Sequence, residues 1–235
     1  MQKLVCIDIG NTNIVIGSYN EASLYNINRI ETNELEIKKI GLSDFQNIAI
    51  SSVVPEITET LKKHNPFIVT YLNSKLTFNI DNPSEIGNDR LCNIKATIKE
   101  YKLPAIIVDF GSATTYDVIS KNGNFIGGAI APGIDVSAKY LFEKAALLNK
   151  VDFKFPKYII GKNTITNLQS GIMFGGIDAV NGMIRRIKTE FNKTIKTVIL
   201  TGGFSRILSP KIKCSHVLDK DLTIKGIKEI WDNNN

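Results

Sequence analysis

The sequence predicts an α/β protein of two duplicated halves, each a mixed sheet flanked by helices, with a cleft between them. Two observations predict this. The stretch VCIDIGNTNIVIG (5–17) and the stretch IIVDFGSATTYDV (106–118) share one pattern: apolar strand, aspartate, apolar residue, glycine, short polar residues, returning strand. Asp8 aligns with Asp109, Gly10 with Gly111 and Asn11 with Ser112, an internal repeat that precedes any choice of fold. Each copy also leads into alternating strand and helix signals, so the division falls at 1–103 and 104–235.

Taken in order, residues 1–19 read as two strands joined by a polar hairpin tip, and residues 20–46 as an edge strand and a short helix. Ile48 to Ile50 form a strand that leaves through Ser51-Ser52. Pro55 then opens a helix through His64, since proline suits a first helical turn. FIVTYL (67–72) reads as a further strand. In NDRLCNIKATIKEY, Leu91, Ile94, Ile98 and Tyr101 recur at helical spacing. Pro104 ends that helix, and the second hairpin follows. Residues 123–133 supply a third strand. Residues 134–149 and 167–192 read as helices, the second with Ile172, Gly176, Ala179, Met183 and Ile187 on one face. KTVILTGGFS gives a last strand opening onto Gly202-Gly203, and LTIKGIKEIW a closing helix.

The bulk composition narrows the class. The chain has 235 residues, 43% apolar and 22% charged, enough to bury a substantial core. Its net charge of +6 is spread out, and the densest basic stretch, Arg206 to Lys228, is interrupted by Asp219 and Asp221. That pattern reads as a solvated surface, so nucleic acid is not the expected partner. Cys6, Cys92 and Cys214 lie far apart, and His64 and His216 are the two histidines, which argues against a zinc site and for a reducing cytoplasm. A signal peptide and a membrane span are not expected.

The absence of G-x-x-x-x-G-K-[ST] excludes a P-loop, and no strand-to-helix G-x-G-x-x-G is present. The two hairpins still offer what a nucleoside triphosphate needs: backbone N–H groups and small hydroxyls near phosphates, and a carboxylate for magnesium. Gly10, Asn11 and Thr12 supply the first set, Ser112, Thr114 and Thr115 a second, and Asp8 can hold Mg²⁺ through water. A single Asp-Gly pair is an ordinary turn signal; two matched copies ask for more. In NPSEIGNDRLCN, Asp89 reads on position alone as a helix N-cap. The functional alternative is that Arg90 forks onto a substrate carboxylate while Asp89 accepts the proton of an alcohol being phosphorylated.

DIGNTN, SSVVPE, NPSEIGNDR, DFGSATTYD, GGAIAPGI, GKNT and TGGFS, in this order, resemble the bacterial type III pantothenate kinase family. The similarity runs from residue 3 to about residue 230. The resemblance implies two ribonuclease H-like (actin-like) domains and ATP-dependent phosphorylation of pantothenate, the first step of coenzyme A synthesis. It also implies a cytoplasmic homodimer with composite active sites, and a monovalent cation (K⁺ or NH₄⁺) beside Mg²⁺. Carried over by position, Asp8, Ile9, Gly10, Asn11, Thr12, Asn13, Ile14 and Val15 resemble the ATP phosphate loop, joined by Ser112. Gly87, Asn88, Asp89 and Arg90 match the pantothenate segment, with Asp89 as proton acceptor. Asp109 stands at the potassium ligand, Thr164 at a substrate contact reaching across the dimer, and the adenine falls near Gly202 and Gly203. Ile80 replaces a tyrosine common in the family, which changes one wall of the pantothenate pocket. Two other readings stand beside this: a kinase of the same superfamily with another small acceptor, and a nucleotide-binding transcriptional accessory protein like the Bvg accessory factor.

Overall fold

The computed structural model describes residues 3–21, 23–32, 42 and 45–235. The chain forms two compact units, one of residues 1–101, 123–126 and 221–235, the other of residues 102–122 and 127–220.

In the first unit, β1 (Lys3–Ile9), β2 (Asn13–Asn20), β3 (Ser23–Glu31), β4 (Asn47–Ser52) and β5 (Phe67–Ile68) form a sheet of order β3-β2-β1-β4-β5. β2 runs antiparallel to β1 and β3, whereas β4 runs parallel to β1 and β5. One face buries Val5, Ile7, Ile9, Ile14, Ile48 and Ile50 against Ile57 and Leu61 of α1 (Pro55–Leu61). On the other, Leu4, Cys6 and Ala49 are also buried. There α2 (Asn88–Glu100) and α6 (Leu222–Asp232) pack on the central strands. Burial on both faces explains why β1 reads as a continuous apolar run rather than an alternating one. α6 buries Leu222, Ile224, Ile227 and Ile230. A Cβ at Gly226 would lie 1.9 Å from the Cys92 carbonyl oxygen, so that glycine lets the two helix backbones touch.

The second sheet has the order β11-β10-β7-β8-β9-β6. Its strands are β6 (Thr77–Phe78), β7 (Ala105–Phe110), β8 (Ala113–Ile119), β9 (Asn124–Pro132), β10 (Thr197–Thr201) and β11 (Val217–Leu218). In the second unit, Ile106, Val108, Phe110, Tyr116, Val198 and Leu200 form a core with Met173, Ile177, Val180 and Ile184 of α4 (Thr164–Phe191). α3 (Ile134–Lys144) and the single turn α5 (Ser205–Leu208) complete this unit. The antiparallel β7–β8 hairpin and the parallel β7–β10 pair repeat the β1–β2 and β1–β4 arrangement. The turns differ by one residue: Gly10 N–H donates to the Asn13 carbonyl, but Gly111 N–H donates to the Ala113 carbonyl.

Several sequence expectations shift. The strand expected at 67–72 stops at Ile68, because the Asn73 side chain accepts from the Thr70 N–H at 2.8 Å and turns the chain. The helix expected through residue 149 ends at Lys144. α4 begins at Thr164 under an Asn163 cap, and its deepest face is Met173, Ile177, Val180 and Ile184, one residue round from the face expected. β3 is the edge strand expected in residues 20–46; residues 33–41 and 43–44, which the short helix expected in this stretch would need, lie outside the described residues. The division expected at 103/104 placed residues 221–235 in the second half, whereas they pack with the first unit through α6.

Candidate active site

In the first unit, the ends of β1 and β4 and the start of α2 converge. Asp8 and Ser51 are register partners on parallel strands. The Ser51 hydroxyl, fully buried, donates to Asp8 Oδ1 at 3.0 Å. One residue on, the Asn88 side-chain amide donates to the Ser52 carbonyl at 3.0 Å, which ties the first turn of α2 to the end of β4. Val53 N–H donates to the Ile9 carbonyl, and a Cβ on Gly87 would come within 3.7 Å of the Val53 side chain. Asp8 and the Gly87–Arg90 segment are therefore brought together through Ser51, Ser52 and Val53. The sequence marked Ser51-Ser52 as a polar strand exit and SSVVPE as one of the motifs of the resemblance, with no site role given to any of the three residues.

The hairpin tip is held open to solvent. Asn11 and Thr12 are exposed, while Ile9 and Ile14 on either side are buried. Thr32 clamps the tip, its hydroxyl donating to the Gly10 carbonyl at 2.8 Å and its N–H to the Thr12 carbonyl at 3.1 Å.

Asp89 is not the N-cap. Gly87 holds that position without a side-chain cap, and Asp89 lies inside the first turn of α2. Its Oδ1 accepts from the Arg90 N–H at 2.8 Å. Burial raises the Asp89 carboxyl above its ordinary pKa, opposed by that backbone bond and by the Arg90 charge. The Cys92 thiol, one turn on, is pushed well up, chiefly by burial, with the Asp8 and Asp89 charges adding and a Ser51 hydrogen bond opposing. Cys92 is thus kept as a neutral thiol, and the Asp89 carboxyl beside it holds a proton more readily than an exposed aspartate does. The Arg90 guanidinium lies 5.6 Å from the centroid of Phe125 on β9. Phe125 is the register partner of Phe78, two residues before the half-buried Ile80. Phe125 escaped the sequence reading, since nothing in GNFIGG ties it to Arg90.

In the second unit, Asp109 sits at the end of β7 with Gly202 against it. Gly202 has φ +84°, and a Cβ there would stand 2.3 Å from Asp109 Oδ1. The tip carrying Ser112 is packed by Gly133, whose N–H donates to the Ser112 carbonyl at 3.0 Å. Thr164 is set apart from these. It is exposed at the first turn of α4 and lines an apolar cavity of about 660 Å³ between α3 and α4. That lining includes Thr114 and Tyr116 but neither Asp109 nor Ser112.

Solved structures of known proteins share this architecture. The ethanolamine utilization protein EutJ of Carboxydothermus hydrogenoformans superposes with a TM-score of 0.57 at 14% identity, covering 98% of this chain and 90% of EutJ. Component A of the (R)-2-hydroxyglutaryl-CoA dehydratase of Acidaminococcus fermentans superposes with a TM-score of 0.57 at 12% identity, over the whole of both chains. At such identity these establish the fold alone: duplicated, ribonuclease H-like, actin-like α/β. Sequence goes further, since a family model described as type III pantothenate kinase matches residues 4–186. Type III pantothenate kinases of Citrifermentans bemidjiense and Brevibacillus brevis are 37% and 35% identical, each over 98% of this chain and 99% of the relative. The chain belongs to the type III pantothenate kinase family.

Proposed function

We infer that this chain carries out the family's reaction, the ATP-dependent phosphorylation of pantothenate to 4'-phosphopantothenate at the entry to coenzyme A synthesis. The observation that carries the residue assignment is the first turn of α2. There a half-buried carboxylate with a raised pKa, Asp89, adjoins a guanidinium on an aromatic face, Arg90, and the neighbouring Asn88 ties the turn to the end of β4 beside the Asp8 strand. Arg90 pairs with the pantothenate carboxylate, and Asp89 aligns the primary alcohol and takes its proton. Phosphoryl transfer through a loose transition state asks mainly for such positioning and for charge stabilisation. Gly87 and Asn88 shape the approach to the alcohol, and Ile80 borders the pantothenate pocket. Residues Asp8 to Val15 form the phosphate loop for ATP, with Ser112 as a further hydroxyl.

The Asp8 carboxylate beside the Ser51 hydroxyl is a hard oxygen set that fits Mg²⁺ held through water, with phosphates completing the shell. Among the described residues there is no cluster of three or more His, Cys, Asp or Glu that could hold a metal ion. Bound there, Mg²⁺ supplies charge neutralisation on the phosphates. Asp109 fits a monovalent cation, K⁺ or NH₄⁺, in the same role.

The working form is a cytoplasmic homodimer in which Thr164 reaches the partner's substrate. The support is apolar exposure on the segment that joins α3 to α4, where Leu147 is 91% exposed, Ile160 73% and Ile159 64%, a surface that favours burial by a second copy. Among the described residues, no helix is long and apolar enough to cross a membrane. Replacing Asp89 by Asn tests the assignment, with loss of turnover in a correctly folded protein expected; near-normal turnover would remove Asp89 from its role.

A further inference from the structure

The two halves place their aspartates between different neighbours. In the first, Asp8 of β1 is in register with Ser51 of β4 and Val15 of β2. In the second, Asp109 of β7 is in register with Thr201 of β10 and Thr115 of β8. Register partners share a sheet face, so Thr201, Asp109 and Thr115 form a row of oxygen-bearing side chains across three strands. The parallel neighbour carries a hydroxyl in both halves. The antiparallel neighbour is apolar in the first and a hydroxyl in the second.

The fates of these hydroxyls differ. Ser51 is satisfied by Asp8. Thr115 is 9% exposed, and its Oγ1 is buried without a hydrogen-bond partner. A buried, unmatched hydroxyl bears its full desolvation cost, and in a native protein it calls for a ligand or a water. The other such hydroxyl among the described residues, Thr97, lies within α2; Thr115 stands opposite a carboxylate. Gly202 leaves space against Asp109 Oδ1 that any side chain would fill.

We propose that Thr115 is a ligand of a singly charged cation bound beside Asp109, its hydroxyl extending the Thr201–Asp109 row into a direct coordination site. One carboxylate balances one positive charge. Neutral hydroxyls replace the water of a weakly hydrated monovalent ion readily, whereas Mg²⁺ sheds its water reluctantly. The extra hydroxyl thus separates the second half, with a directly held cation, from the first, where Val15 leaves Asp8 to act through water. The proposal rests on the reading of Asp109 as the cation's carboxylate.

The test uses the full chain saturated with a non-hydrolysable ATP analogue and Mg²⁺, titrated with KCl against choline chloride at constant ionic strength and read by the thermal midpoint. The wild type should be stabilised by K⁺, and Asp109→Asn should lose that response. Thr115→Val should weaken the apparent K⁺ affinity at least about 10-fold, the scale of losing a metal-site partner, and Thr115→Ser should stay near wild type. In choline, Thr115→Val should melt no lower than wild type, because the unmatched hydroxyl is gone. A Thr115→Val protein with wild-type K⁺ affinity, or Thr115→Ser as weak as Thr115→Val, overturns the proposal while leaving Asp109 in place. A wild type indifferent to K⁺, or an Asp109→Asn protein with the full response, overturns both.

Discussion

Gly226→Ala perturbs the contact that fixes α2, and with it Asp89, against the first unit. The added Cβ would stand 1.9 Å from the Cys92 carbonyl oxygen, 2.3 Å from its carbonyl carbon and 2.7 Å from its Cα. Ordinary contact begins near 3.4 Å, so the helices must part by about 1.5 Å. The obstructing atoms are backbone and cannot rotate aside. Overpacking of this kind costs about 3 kcal/mol, the upper end of its range. Alanine's better helix propensity returns about 1 kcal/mol, which leaves a loss of about 2 kcal/mol, or roughly 4–8 °C in the melting midpoint at this chain length. Cys92 lies one turn from Asp89, so kcat/KM should fall as well, by up to about 100-fold if Asp89 moves by about 1 Å. The control is Gly182→Ala in α4, where an added Cβ meets nothing within 4 Å; it should stabilise by up to about 1 kcal/mol. Thermal unfolding and steady-state kinetics of both variants check this. A Gly226→Ala protein melting with the wild type would refute the close-packing argument.

Asp89→Asn should lower kcat by about 10²- to 10⁴-fold, the usual worth of a positioned general base. Burial raises the Asp89 pKa, so the folded state binds its proton more tightly than the unfolded state does. The stability contributed is present at low pH and lost as pH rises through the folded value. The asparagine variant should therefore melt no lower than wild type at pH 7, and the acid limb of the wild-type rate profile should lie above the range of an exposed aspartate. Ser51→Ala removes the hydroxyl bonded to Asp8; losing a hydrogen bond to a charged group is worth about 1.5–3 kcal/mol, so the Mg²⁺ concentration for half-maximal activity should rise about 10-fold or more. In analytical ultracentrifugation the wild type should sediment as the proposed dimer, and Ile160→Asp, at an exposed apolar position, as a monomer; a monomeric wild type would remove the dimer.

The hairpins were legible because their chemistry is local. An apolar run that stops at Asp8 or Asp109 before a glycine announces both strand and tip, and the repeat announces the duplication. The Gly87–Arg90 segment was legible as a helix start, but not the cap: whether Gly87 or Asp89 takes that place depends on where the chain enters, set by Asn88 reaching Ser52. Partners distant in sequence left no mark. Phe125 under Arg90 and Ser51 on Asp8 are tertiary choices. α6 was plain as an amphipathic helix, yet its pattern cannot say which core it joins; Gly226 against Cys92 decides that. The two-residue strands β6 and β11 are too short for periodicity to register, and β5 registered only as a longer strand over 67–72.

The most direct measurement is ADP release by the purified chain with MgATP, with and without pantothenate, in potassium and then in sodium. The account predicts release that requires pantothenate, yields 4'-phosphopantothenate and runs faster in potassium. Release at the same rate without pantothenate, or none with it in either salt, would contradict it.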